Sequence, residues 1–295
     1  MGQCIGLCCK ESTFQYKVAL KFPNGTNGIF YNETQQWNTI NINQWIQSLY
    51  NDSQLTRDCS FILYNDETSG IKIESTHKKG HCKGILAWNK KKITWLIHSV
   101  PNFPREFTGD TISEIELGET IYGQSFCYIE HEYNEEFLKQ LISHVLKMEP
   151  NIFKTNGIEI EKKKCESIIH KLQLDEFVTH IVKPHHFETD IYHYLAELVP
   201  TEWYIETWIR GKAIMTPHKN INEIQMLQFG DIQFQESQDH SKWAVTDEYV
   251  WIGDLNRMTS QFHRGGGGVL IKNKKLVAAF RSLIQTTKQL SVFPK

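Results

Sequence analysis

The chain has no apolar run approaching the roughly 18 residues that a membrane helix requires, so no integral membrane segment is expected. It also lacks an excess of charge of one sign. With 32 Lys plus Arg against 34 Asp plus Glu, the formal charge is −2, which excludes an overall basic footprint for a polyanion and leaves only a local basic cleft. Cysteines number seven, odd and scattered, which excludes a disulfide-built scaffold. Metal-ligand spacings are missing too. There is no Cys-x2-Cys, and His77, His81, Cys82 and the tandem His185-His186 do not share one helix face, so neither metal nor cofactor is expected. The first ten residues lack the charged-then-apolar layout of a secretory leader, and the chain as given is expected to be soluble. The opening Met1-Gly2-Gln3-Cys4 with Cys8-Cys9 is a partial acylation signal, with Gly6 where Ser or Thr belongs, and it keeps a cytoplasmic or lipid-anchored chain open. Glycosylation triplets at Asn24, Asn32 and Asn51 would suit a secreted or lysosomal one.

What is present is enough for a large core: 295 residues, 40% hydrophobic and 12% aromatic. Thirteen histidines would turn the near-neutral charge strongly positive in acid, which favours a polyanionic partner there. Strands are expected over Tyr16–Phe22 and Ser60–Tyr64, and a hairpin from Gly84–Trp88 and Ile93–Ile97. Phe137, Leu138, Leu141, Ile142, Val145 and Leu146 form one apolar stripe, which predicts a helix from an Asn134 cap to Met148. The charged run Glu159–Lys164 marks a boundary, giving halves 1–155 and 156–295. In the second half Ile191, Tyr194, Leu195 and Leu198 predict a helix and Trp203–Ile209 a strand. Leu276, Ala279, Phe280, Leu283 and Ile284 predict a C-terminal helix. Strands and helices mixed in both halves predict an α/β sandwich.

Three His-x-Lys triplets occur, and chance supplies roughly one, so context decides. His77 with Lys79 falls in a polar loop and is assigned no role. His240-Ser241-Lys242 is followed, after four intervening residues, by Asp247 and then by Gly253-Asp254-Leu255-Asn256, which resembles the signature of the phospholipase D superfamily. On an extended segment His and Lys at i and i+2 face one side. Imidazole can attack phosphorus or protonate a leaving oxygen, while the ammonium neutralises the non-bridging oxygens. His81-Cys82-Lys83 is an echo of this in the first half, with Trp88 where the Asp would stand. Arg264–Gly268 reads either as a phosphate cradle or as a turn where backbones approach. Trp243 and Trp251 read as core.

Together Gly80-His81-Cys82-Lys83-Gly84, Trp95–Pro104, Tyr122-Gly123-Gln124, Asp239–Trp243, Ile252–Arg257, Arg264–Gly267 and Leu63-Tyr64-Asn65-Asp66 resemble the deoxyribonuclease II family in order over nearly the whole chain. The resemblance implies two phospholipase D-like halves related by a pseudo-twofold axis, with the active site between them. It further implies cleavage of DNA in acid without metal, leaving 3′-phosphate and 5′-hydroxyl ends. His81, Lys83, His240 and Lys242 would be catalytic, with His81 as nucleophile and His240 as acid. His98 would orient the phosphate, and Asp247, Asn256 and Gln124 would support. One family-like disulfide, Cys8 or Cys9 with Cys127, and a lysosomal or extracellular location are implied, and a homodimer is left open. Two competing readings are a phospholipase D-type lipid phosphodiesterase and a catalytically weak nucleic-acid-binding chain, the latter motivated by Trp88.

Overall fold

The computed structural model describes residues 14–32, 34–67, 79–161, 166–185, 187, 189–209 and 217–289. In the first half β1 (Phe14–Lys21), β2 (Asn27–Tyr31) and β3 (Trp37–Asn41) lead into α1 (Ile42–Asp52). Then come β4 (Ser60–Tyr64), β5 (Gly84–Trp88), β6 (Lys92–His98), β7 (Gln124–Glu132), α2 (Glu135–Leu146) and β8 (Ile152–Asn156). These strands form one sheet in the order β3-β2-β1-β7-β6-β5-β4-β8, with every neighbouring pair antiparallel.

The second half runs β9 (His170–Asp175), β10 (Val178–Lys183), α3 (Ile191–Leu198), β11 (Trp203–Thr207), β12 (Ile221–Phe229) and β13 (Ile232–Gln235). It continues with β14 (Lys242–Val245), β15 (Tyr249–Gly253), α4 (Thr259–Phe262), β16 (Gly266–Lys272), α5 (Lys274–Arg281) and β17 (Ile284–Gln289). The second sheet is ordered β13-β12-β11-β14-β15-β16-β10-β9, with β17 on β12 and one parallel pair, β11 with β12.

The apolar residues explain the layering. On β4, Phe61 and Leu63 face α1 while Ile62 and Tyr64 face the other way into the core between the sheets. Both faces are covered, which is why Ser60–Tyr64 reads as an apolar run and not as an alternation. α1 lays Ile42, Trp45, Ile46, Leu49 and Tyr50 on the outer face of the first sheet, and α3 lays Ile191, Tyr192, Leu195 and Ala196 on the outer face of the second. Each large side chain buried in this way contributes roughly 1.5–3 kcal/mol. The inner faces share one core with Leu138, Leu141 and Val145 of α2 and Leu276, Val277 and Phe280 of α5.

Polar contacts cross that core. Trp37 Nε1 donates to the Ala279 carbonyl at 2.8 Å, Asn273 Nδ2 donates to the Tyr16 hydroxyl at 2.8 Å, and the Nδ1 atoms of His144 and His180 share a hydrogen bond at 2.8 Å. Burial pushes the pKa of His144 down to about 3, so this pair is neutral imidazole.

Asn134 caps α2 as expected, accepting from the Phe137 amide at 2.8 Å. The expected C-terminal helix is shorter than its apolar stripe. α5 stops at a Ser282 cap, and Ile284 begins β17, because antiparallel pairing with β12 takes up the backbone groups beyond Leu283. The glycine run is a place of close approach. A Cβ at Gly265 would lie 2.2 Å from the Met148 carbonyl oxygen, and one at Gly268 would lie 2.4 Å from that of Ile252. Trp243 and Trp251 are buried core residues. Among the described residues no helix is long and apolar enough to cross a membrane. Cys127 is a free thiol buried between the sheets, while Cys8, Cys9, Gly2 and His77 lie outside the described residues.

Candidate active site

Both His-x-Lys segments enter central antiparallel strands of their sheets. His81 and Lys83 lead into β5, and His240 and Lys242 lead into and open β14. The turns after β6 and β15, Ser99–Asn102 and Asp254–Arg257, meet them from the opposite half.

The two histidines are held reciprocally. His81 Nδ1 lies 2.5 Å from the backbone carbonyl of Asp254, 173 residues away in the second half. His240 Nδ1 lies 3.0 Å from the carbonyl of Ser99 in the first half and 3.3 Å from Gln124 Oε1. A carbonyl oxygen only accepts, so each Nδ1 carries a proton and each Nε2 is the atom left for chemistry. Backbone contacts fix the register: the His81 amide donates to Gly265 and the His240 amide to Gly123, both at 2.8 Å.

Around His81 stands a buried charge cluster. Asp66, just past β4, pairs with the Lys83 ammonium and with Arg264 Nη2 at 3.1 Å, and its Oδ2 lies 3.5 Å from His81 Nε2. Arg264 also donates to the carbonyls of Lys79 at 2.9 Å and Gly80 at 3.2 Å, so a second-half side chain is fastened to the first. Burial alone would raise the pKa of Asp66, but His81, Lys83 and Arg264 hold it well below the usual carboxylate range. Burial pushes His81 well below its ordinary value, with Asp66 opposing and Lys83, Arg264 and Lys242 reinforcing. His240 is pushed the same way by burial and by Lys242, Lys83 and His81. Burial and Lys83 lower Lys242, whose ammonium donates to the His240 carbonyl. Asp254 is raised by burial to about 8, so its carboxyl, which accepts from the Gly267 amide at 2.9 Å, is neutral in acid.

The structure therefore gathers His81, Lys83, His240, Lys242 and Gln124. Gln124 Oε1 also accepts from the Ser99 hydroxyl at 2.6 Å. His98 is buried against Phe103 and Phe126 within reach of the Lys83 charge, and burial pushes it down to about 3. Asn256 is buried on the turn after β15, with its Oδ1 unpartnered. Asp247 is not brought to the site. It lies in the exposed β14–β15 turn, 2.7 Å from Arg281, because the register of that hairpin carries it to the far end of the strands. Two contributors carry no role in the sequence pattern, Asp66 and the pair of anchoring carbonyls, while Arg264 opens the run that reads as a phosphate cradle or a turn and contributes its side chain instead. The signal for Asp66 is its place two residues past the apolar strand β4, at the end of the family-like block Leu63-Tyr64-Asn65-Asp66. Among the described residues no group of three or more His, Cys, Asp or Glu is arranged to hold a metal ion.

The sequence model of the family described as deoxyribonuclease II matches residues 24–290. The chain belongs to the deoxyribonuclease II family. Its curated relatives include deoxyribonuclease-2 of Caenorhabditis elegans, 30% identical over 80% of this chain and 75% of that one. Deoxyribonuclease-2-beta of Mus musculus is 28% identical over 81% of this chain and 73% of its own length. Cell-death-related nuclease 7 of C. elegans is 27% identical over 76% and 67%. The buried His, Lys, Asp and Arg set joins residues of the two halves of this family member.

Proposed function

We propose that this member of the deoxyribonuclease II family is an acid-active endonuclease that hydrolyses DNA phosphodiesters without a metal ion. It acts through a phosphohistidine and leaves 3′-phosphate and 5′-hydroxyl ends. The observation that carries the reading is the reciprocal anchoring of His81 on Asp254 and of His240 on Ser99, which ties two imidazoles, each to the opposite half of the chain. One can attack phosphorus while the other protonates the departing 5′ oxygen. Lys83, Lys242 and Arg264 supply the positive charge that the non-bridging oxygens need, the task a metal performs elsewhere. Acid dependence follows from the sign of the pKa shifts. Both imidazoles lie below their ordinary value, so the protonated form needed by a general acid is populated only as pH falls.

Topology supports the reading of two phospholipase D-like halves related by a pseudo-twofold axis. The runs β4-β5-β6-β7 and β11-β14-β15-β16 are both antiparallel, and a His-x-Lys segment leads into the second strand of each. One chain holds both elements, so a second copy is not needed for catalysis. Asp66 supplies a carboxylate beside Lys83 that the sequence lacks at Trp88, which favours an enzyme over a binding chain. An acid optimum suits a lysosomal or extracellular setting.

The test is supercoiled plasmid incubated in excess chelator from acid to mildly alkaline pH, followed by analysis of the ends. We expect nicking that rises towards acid and 3′ ends that a polymerase extends only after phosphatase treatment. Nicking that requires added magnesium, or 5′-phosphate products, would overturn the reading.

A further inference from the structure

We infer that Asp66 assigns the two histidines their roles: facing a carboxylate at Nε2, His81 is the proton donor and His240 the nucleophile, the reverse of the order taken from the family resemblance. This rests on the phosphohistidine reading above and concerns which imidazole does what.

The geometry differs at the two rings. His81 has an acceptor at both ends, the Asp254 carbonyl at Nδ1 and the Asp66 carboxylate 3.5 Å from Nε2. A ring set between two acceptors is complementary to imidazolium, which donates from both nitrogens. His240 makes its hydrogen bonds, among the described residues, from Nδ1 alone, to Ser99 and Gln124. A neutral ring donating from Nδ1 holds its lone pair on Nε2, which is the form a nucleophile needs. The one negative charge also weighs differently on the two rings. At His81 the Asp66 carboxylate is the strongest charge and favours the proton against Lys83, Arg264 and Lys242, whereas at His240 it is the weakest, behind Lys242, Lys83 and His81. Asp66 is a positioning residue in this scheme, because it touches His81, Lys83 and Arg264 and acts on the phosphate through them.

In the first step His240 Nε2 bonds to phosphorus and the P–O5′ bond breaks. Its electron pair leaves on O5′, which takes the proton from His81 Nε2. In the second step water attacks phosphorus and gives its proton to His81, and the P–N bond breaks with its pair returning to His240. The products are a 3′-phosphate and a 5′-hydroxyl, with His81 protonated again.

A DNA oligonucleotide with a single 5′-bridging phosphorothiolate tests this, because a departing thiolate needs no proton. The His81→Ala variant should lose roughly 100-fold or more on ordinary DNA. It should cut the phosphorothiolate in a single turnover within about 10-fold of the unaltered protein, since only proton donation has been removed. The adduct should accumulate on His240, which mass spectrometry locates. Asp66→Asn should shift the pH–rate profile on ordinary DNA to lower pH and be rescued by the same substrate. Rescue of His240→Ala in place of His81→Ala, rescue of neither, or an adduct on His81 in the unaltered protein overturns the assignment. Turnover of ordinary DNA by the unaltered protein with no adduct on either histidine removes the phosphohistidine itself, and the assignment with it.

Discussion

Replacing His240 by Ala should abolish plasmid nicking, with a loss of at least about 10³-fold, because the residue is one of two groups that make or break bonds at phosphorus. Folding should be little changed. Among the described residues the His240 ring makes only two moderate hydrogen bonds, to Ser99 and Gln124, so its removal costs the fold little beside what it costs the reaction. The measurement is the initial rate in chelator at acid pH beside a urea unfolding curve. A rate within 10-fold of the unaltered protein, on the scale of a general acid or base, would remove His240 from the reaction. Lys242→Met should fall in the same direction through weaker stabilisation of the phosphate charge, since its ammonium is carried on the strand that presents His240.

Substituting Arg257 by Leu should destabilise the fold strongly, by about 3–5 kcal/mol near pH 8. Its guanidinium is buried, donating from Nε to Asp190 at 2.9 Å and from Nη1 to Glu223. Removing it leaves two buried carboxylates without their cation. The loss should shrink in acid. Burial already raises Glu223 to about 7 against the opposing pull of Arg257, and Asp190 is raised too. Without the guanidinium both rise further, so near pH 5 the folded variant holds them as neutral acids. A group whose folded pKa lies above its unfolded value stabilises below the unfolded value and loses that contribution as pH rises through the folded one. The unfolded values are common to both proteins, so the variant's extra instability should grow as pH rises through the folded values that the unaltered protein has, about 7 for Glu223. Arg257 also braces the turn whose Asp254 carbonyl holds His81, helped by the Tyr192 hydroxyl, which donates to the Leu255 carbonyl at 2.8 Å. Activity should fall along with stability. Equal destabilisation by urea at pH 5 and pH 8 would contradict the charge argument.

The parts of the fold that could be read from the chain are those whose burial is local. β4 and β5 lie between two apolar layers and appear as short apolar runs, and α2 announces itself by an Asn134 cap and a one-sided stripe. Where pairing decides, the pattern is silent. β17 is largely exposed and polar and exists because β12 needs a partner. β16 opens on glycines chosen by the nearness of neighbouring backbone, which gives no apolar period to read. The same division holds at the site. A His-x-Lys spacing is local geometry, so both elements could be found, whereas the contact of Asp66 with Arg264 spans 198 residues and belongs to the packing of one half on the other. Asp247 shows the converse: a correct spacing after His240 places it at the solvent end of the hairpin, with Arg281.

Everything in the mechanism requires one phosphorus to be reached from both halves at once. A crystal of the protein grown in acid and soaked with tungstate, an oxyanion that mimics the phosphoryl centre, tests this directly. The expected result is a single bound ion with His81 Nε2 and His240 Nε2 on opposite sides and Lys83 and Lys242 on its oxygens. An ion bound against one histidine alone, with the other ring turned away from it, would contradict the account.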